Sequence, residues 1–198
     1  MKRALLILLS LLLAPAAQAH VLTRAETDQL EKISDAYNAI HSLQAQFVQI
    51  GPDGELQEGR VYIKKPGEMR FEYAPPAPTL VVCDGLDIAV FNTRLRTVDR
   101  YPLSSTPLNI LLSDHVDFGR NAAVTGISYQ PGQILVDAQS PDRRVAGKIT
   151  IVFSDPGLEL RQWTVTDAQG LTTTVTLRSM RTGVDIPDST FSLKGKGN

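Results

Sequence analysis

Gly59-Arg60-Val61-Tyr62-Ile63-Lys64-Lys65-Pro66-Gly67-Glu68-Met69-Arg70-Phe71-Glu72-Tyr73 decides the fold. Val61 and Ile63 alternate with Arg60, Tyr62 and Lys64, and beyond Pro66-Gly67 the residues Met69, Phe71 and Tyr73 alternate with Arg70 and Glu72. A period of two sends successive side chains to opposite faces of a strand, and Pro-Gly is turn chemistry. The stretch therefore predicts two antiparallel strands sharing one apolar face and one solvated face. One step back, Leu43, Ala45 and Phe47 alternate with Gln44, Gln46 and Val48, and Gly51-Pro52-Asp53-Gly54 is a turn. The three runs together predict a β-meander.

Upstream of it the period changes. Leu30, Ile33, Tyr37 and Ile40 recur at steps of three and four, with Glu31, Lys32, Asp35 and Asn38 elsewhere around the helix. Thr23 and Glu26 have capping-box spacing, so a helix is expected from about Thr23 to Ser42. Further back, Lys2 and Arg3 precede an apolar run from Leu5 to Leu13 broken only by Ser10, and Ala17-Gln18-Ala19 follows. This order predicts a cleaved secretory signal over 1–19 and a single domain over 20–198; the alternative is an uncleaved anchor, for which the run is short. Position 20 is His and not Cys, so no N-terminal lipid is expected.

Downstream, Ala74-Pro75-Pro76-Ala77-Pro78 lacks ladder donors and reads as a loop. Leu80 to Asp84 and Leu86 to Asn92 form a hairpin pair around Asp84-Gly85, and a short strand is expected near Arg96 to Arg100. Thr106-Pro107-Leu108-Asn109-Ile110-Leu111-Leu112 breaks the pattern. Thr106 can cap a helix whose first residue is Pro107. Its leucines and isoleucine are too many for a surface helix that covers nothing, so it is either a core plug or a lid over an apolar cavity. Strands resume after Gly126. Ile134, Val136 and Ala138 alternate, as do Ile149, Ile151 and Phe153. Trp163 and Val165 share a face, and Thr173, Val175 and Leu177 lie in a Thr-rich strand. Phe191 and Leu193 are placed to pack back onto the sheet.

The whole sequence carries a net charge of −1, and loss of Lys2 and Arg3 would leave eighteen basic against twenty-one acidic residues, or −3. That balance gives no electrostatic reason to expect nucleic acid as partner. Cys83 is the only cysteine, so no intramolecular disulfide can form, and its Leu80-Val81-Val82 flank reads as buried. His20, His41 and His115 have no partners at metal-ligand spacing apart from Asp114 and Asp117 beside His115. No nucleophile elbow, phosphate loop or dinucleotide fingerprint occurs. No catalytic residue, metal or cofactor is expected.

Gly59 to Tyr73 resembles the corresponding stretch of the periplasmic outer-membrane lipoprotein carrier family, LolA. The resemblance continues through Phe47-Val48-Gln49, Val82-Cys83-Asp84-Gly85, Thr106-Pro107-Leu108 with Ile110-Leu111-Leu112, Trp163-Thr164-Val165 with Asp167 and Gly170, Thr173 and Phe191. It implies a mainly β fold with α (α+β): an unclosed antiparallel β-barrel of about eleven strands, with an N-terminal helix and a short helical lid over an apolar cavity. It implies a periplasmic carrier that takes acylated lipoproteins from an inner-membrane ABC-type releasing complex to an outer-membrane acceptor or the outer membrane itself; a soluble shuttle of this kind is expected to be a monomer. Family members commonly carry Arg before the Pro of the Lys65-Pro66 pair, and that Arg is credited with bonding the lid. Lys65 departs from this, and lacks the planar fork of arginine.

Under that resemblance Phe47, Val61, Ile63, Met69, Phe71 and Tyr73 are expected to line the cavity, or else to form plain sheet core. Leu108, Ile110 and Leu111 are expected to fill it when empty, with Lys65 as a candidate lid contact. The rival readings are a periplasmic lipid-sensing regulatory domain on the same scaffold, the outer-membrane acceptor of the pathway, and an enzyme of lipid or envelope sugar.

Overall fold

Eleven strands hydrogen-bond in one antiparallel sheet of order β6-β5-β4-β3-β2-β1-β11-β10-β9-β8-β7 in the computed structural model. The structure describes residues 22–119, 123–140, 145 and 147–193; the expected signal segment over 1–19 lies outside them. The strands are β1 (Ser42–Ile50), β2 (Leu56–Lys64), β3 (Glu68–Tyr73), β4 (Thr79–Asp84), β5 (Asp87–Asn92), β6 (Thr97–Pro102), β7 (Ala123–Gln130), β8 (Gln133–Gln139), β9 (Lys148–Ser154), β10 (Leu160–Thr166) and β11 (Thr172–Thr182). β6 and β7 end the order without pairing to each other, so the barrel is unclosed. Every neighbouring pair but β1–β11 is consecutive in the chain. The β1–β11 pairing joins the first and last strands in mid-sheet.

Register carries the period of two across the sheet. Ile63 pairs with Met69, Met69 with Cys83, and Cys83 with Ile88. One row further along, Val61, Phe71, Val81 and Val90 are successive partners. Both rows lie on the inner face, because partners in register share a face. Arg70 alternates to the outer face, where its Nε donates to Glu72 at 2.7 Å. Gly59 is required between β1 and β3: a Cβ there would lie 2.0 Å from the Glu72 carbonyl oxygen and 2.9 Å from a Phe47 ring carbon.

The inner face is covered by α1 (Arg24–Asn38) and α2 (Leu108–Leu112). The Thr23–Glu26 capping box forms in both directions. α1 is shorter than the periodicity predicted: Ala39 caps it, and Ser42 already belongs to β1. Its buried stripe is Leu30, Ile33, Ser34 and Tyr37. The segment following α2 is stitched to α1 by polar bonds: Asn38 donates to the Val116 carbonyl at 2.8 Å and accepts the Val116 amide at 2.9 Å, and the Ser34 hydroxyl accepts the Phe118 amide at 2.9 Å.

Smaller differences have local causes. The strand expected near Arg96 to Arg100 runs over Thr97–Pro102, with Arg96 in the turn at φ 56°. β7 starts at Ala123, earlier than Gly126, across an irregular register between Val124 and Gly126. Thr106 does not cap α2. Its hydroxyl donates to the Leu103 carbonyl at 3.0 Å within the preceding 3-10 turn (Leu103–Ser105), and Pro107 sits at the cap position. Phe191 and Leu193 pack back as expected: Phe191 is buried, and Leu193 packs on the outer-face cluster of Val82, Ala89 and Phe91.

Candidate functional site

Between α2 and the inner face lies a cavity of about 370 Å³. Its wall comes from β3, β4 and β5 on one side, through Met69, Phe71, Tyr73, Val81, Ile88 and Val90, and from β10 and β11 on the other, through Trp163, Val165 and Val175. Leu108 of α2 and Tyr101 of β6 complete its lining. The aromatic wall packs edge-on against the core: Phe47, behind it, meets Phe71 and Tyr73 at centroid distances of 4.8 and 5.1 Å, and Phe71 meets Trp163 at 6.2 Å. At one end the wall turns polar, with Gln49, Gln57, Thr79 and Thr173.

The six residues expected to line the cavity divide into two groups. Met69, Phe71 and Tyr73 are in its wall. Phe47, Val61 and Ile63 lie on the same face but are buried at 1, 0 and 2% exposure in the packed core behind it. Larger surface clefts exist, but the one of about 620 Å³ on β1, β2 and β3 is bordered by Glu58, Arg60, Glu72 and Arg178. A charged rim of that kind gives hydrocarbon no shelter from water.

α2 is held by its own leucines and by two hydrogen bonds. Leu111 and Leu112 are essentially fully buried, while Leu108 and Ile110 are partly buried against the core. The Tyr37 hydroxyl donates to the Leu111 carbonyl. The Gly67 amide, in the β2–β3 turn, donates to the Leu112 carbonyl at 2.8 Å. These bonds satisfy two of the carbonyls that a helix C-terminus leaves without intrahelical partners. Withdrawing α2 exposes two leucines and breaks both bonds, at a gross cost of about 4–9 kcal/mol.

Lys65 stands one layer behind this contact. Its ammonium donates to the Tyr37 carbonyl at 3.1 Å and lies 4.3 Å from the centroid of the Tyr37 ring. It thus holds the residue whose hydroxyl bonds α2. Burial lowers its pKa from the usual lysine value, partly opposed by the negative charge of Asp114 just beyond α2. Burial also raises the Tyr37 pKa strongly and pushes Tyr73 up to about 12, the Tyr73 effect being offset in part by its bond to Gln49. Both phenols therefore stay protonated hydrogen-bond donors at any ordinary pH.

Sequence reasoning missed Tyr37 and Gly67 as partners of α2, and Trp163, Val81, Ile88 and Val90 as cavity wall. A signal existed for the wall, since alternation puts these residues on the same face as Met69 and Phe71. None existed for Tyr37, whose spacing marks it only as core. Cys83 is buried and its thiol is pushed up to about 11 by desolvation, against nucleophilic chemistry. Among the described residues, no cluster of three or more His, Cys, Asp or Glu could hold a metal, and no helix is long and apolar enough to cross a membrane.

A family model described as "Outer membrane lipoprotein carrier protein LolA" matches residues 38–194. The outer-membrane lipoprotein carrier protein of Dechloromonas aromatica is 28% identical over 178 residues, 84% of each chain. That of Methylobacillus flagellatus is 23% identical over 173 residues, 83% of each. Among solved structures, a putative outer membrane lipoprotein-sorting protein domain from Vibrio parahaemolyticus superposes with a TM-score of 0.51 at 9% identity, covering 87% of this chain and 100% of that one. That last likeness speaks for the fold alone.

Proposed function

Since the chain belongs to the LolA family of outer-membrane lipoprotein carriers, we propose that it is a periplasmic carrier that shelters lipoprotein acyl chains in the cavity beneath α2 and catalyses no reaction. The observation that carries this reading is the apolar hollow under a five-residue helix held by two hydrogen bonds.

The physics requires both parts. Acyl chains cannot cross water exposed, because each buried CH₂ is favourable by about 0.8 kcal/mol. A cavity of about 370 Å³ is near the lower end of the range for a single small ligand, roughly 300–1,000 Å³. Two or three long chains need more room than that, so α2 must leave when cargo enters. Leu108, Ile110, Leu111 and Leu112 occupy space that cargo takes over. The cost of withdrawing α2 is matched by about five to eleven methylenes at the transfer value. Binding then exchanges one set of apolar contacts for another, and the net affinity stays low enough for release. In this scheme an inner-membrane ABC-type complex supplies the cargo, and an outer-membrane acceptor or the outer membrane itself receives it. Lys65 supports the closed state through Tyr37.

The test is purification of the native protein from periplasm, with mass spectrometry of what co-purifies. Triacylated lipoprotein is the expected cargo. Free lipid without lipoprotein would move the reading to a lipid-sensing domain, and no lipid of any kind would remove it.

A further inference from the structure

The polar end of the cavity has no role in sheltering hydrocarbon. Gln49 and Gln57 are register partners at the far end of β1 and β2, and Thr79 and Thr173 stand near them at the starts of β4 and β11. All four are in the cavity wall, at the end away from the β2–β3 turn that holds the C-terminus of α2. The Tyr73 hydroxyl donates to Gln49 Oε1 at 2.8 Å, which orients that amide and leaves its NH₂ group as donor. Among the described residues, the side chains of Gln57, Thr79 and Thr173 make no hydrogen bond. Their polar atoms are not sealed from solvent, since no unpartnered buried side-chain atom is present.

We propose that this collar is a subsite for the ester-linked glyceryl portion of the cargo, which fixes the direction in which the lipid lies. The proposal rests on the carrier reading above. Gln and Thr side chains offer amide and hydroxyl donors, whereas an acyl ester offers only carbonyl and ether oxygens as acceptors. Covering the collar with methylenes would strip its water and return no bond, which is costly for each donor. The two ester carbonyls of a diacylglyceryl group can accept one or two of these donors in place of water. The chain methyl ends then point toward Met69, Ile88 and the space vacated by α2, and the acylated cysteine emerges beside the β1–β2 and β3–β4 turns.

Trp163 is the only tryptophan and is in the cavity wall, so its fluorescence reports filling directly. The probes are a triacylated cysteinyl lipopeptide with glyceryl esters and its analogue with glyceryl ethers of equal chain length. The native protein is expected to bind the ester probe about tenfold more tightly, the worth of one or two regained hydrogen bonds. In Gln57→Leu/Thr79→Val the preference is expected to fall below about twofold, with ether-probe affinity unchanged or higher. Neither side chain has an intramolecular partner to lose, and an unchanged melting temperature checks the fold. Equal affinity of the native protein for both probes would overturn the subsite alone, as would a preference that persists undiminished in the variant. Failure of the native protein to bind either probe would overturn the carrier reading as well.

Discussion

Replacing Tyr37 by Phe removes one oxygen atom and tests how α2 is held. The ring stays where it packs, 6.2 Å from Phe118 and 6.1 Å from Phe153 by centroid. What is lost is the bond from its hydroxyl to the Leu111 carbonyl. In the closed state that carbonyl would remain buried without a side-chain donor, at a cost of ~1–3 kcal/mol. With α2 withdrawn the same carbonyl is solvated in both proteins, so the cost falls on the closed state alone. The open population should therefore rise about 5- to 150-fold. Hydrogen exchange reads this at one amide. Gly67 is buried and its N–H is bonded to the Leu112 carbonyl, so it exchanges when α2 departs. Its protection is expected to fall by that factor in Tyr37→Phe, while amides of β1 and β2 in the sheet centre keep theirs. Apparent affinity for a triacylated lipopeptide should rise with the open fraction, because less of the binding energy goes to opening. Unchanged Gly67 protection in a folded Tyr37→Phe protein would refute the hydroxyl as a latch.

Val81→Asp places a carboxylate in the cavity wall at a half-buried site; lipopeptide binding, read by Trp163 fluorescence, should be lost while the circular dichroism spectrum is kept. Lys65 gives a pH signature. Its pKa is lowered in the folded state, so the charged form is disfavoured there, and stability rises as pH climbs from that lowered value to the ordinary lysine value of 10.5. Denaturant titrations of the native protein and Lys65→Met across that alkaline window should show the native protein gaining relative to the variant; the opposite slope would contradict the burial of its ammonium. Gly59→Ala should destabilise by about 1–3 kcal/mol or more, since the methyl group meets the Glu72 carbonyl and the Phe47 ring; a melting temperature equal to that of the native protein would show the β2–β3 spacing to be looser than described.

The hairpin of β2 and β3 was legible because its two runs alternate strictly and share a Pro-Gly turn. The start of α1 was legible because Thr23 and Glu26 bond reciprocally over three residues. Both are local signals. Its end was not, because Ile40 continues the spacing while the chain has already turned at Ala39. Thr106 was misread for a related reason: a hydroxyl before a proline fits a cap, yet the preceding 3-10 turn offers the Leu103 carbonyl nearer at hand. In the site, alternation gave the face of Phe47, Val61 and Ile63 together with that of Met69 and Phe71. It could not tell which of them a second layer would cover. That division depends on where α1 and α2 settle over the sheet, and on the segment that Asn38 and Ser34 tie to α1 across some eighty positions. Lys65 was placed beside α2 by resemblance; that it bonds Tyr37 is a contact between the β2–β3 turn and α1 that no spacing announces.

The most direct test is to ask where an acyl chain lies. A triacylated lipopeptide carrying a photoreactive diazirine near its chain ends should, on illumination, label Met69, Phe71, Val81 or Ile88, with labelling sites read by peptide mass spectrometry. Labels confined to the outer face, for example around Arg60 and Arg178, with these inner-wall residues untouched, would contradict the claim that the hollow beneath α2 receives the lipid.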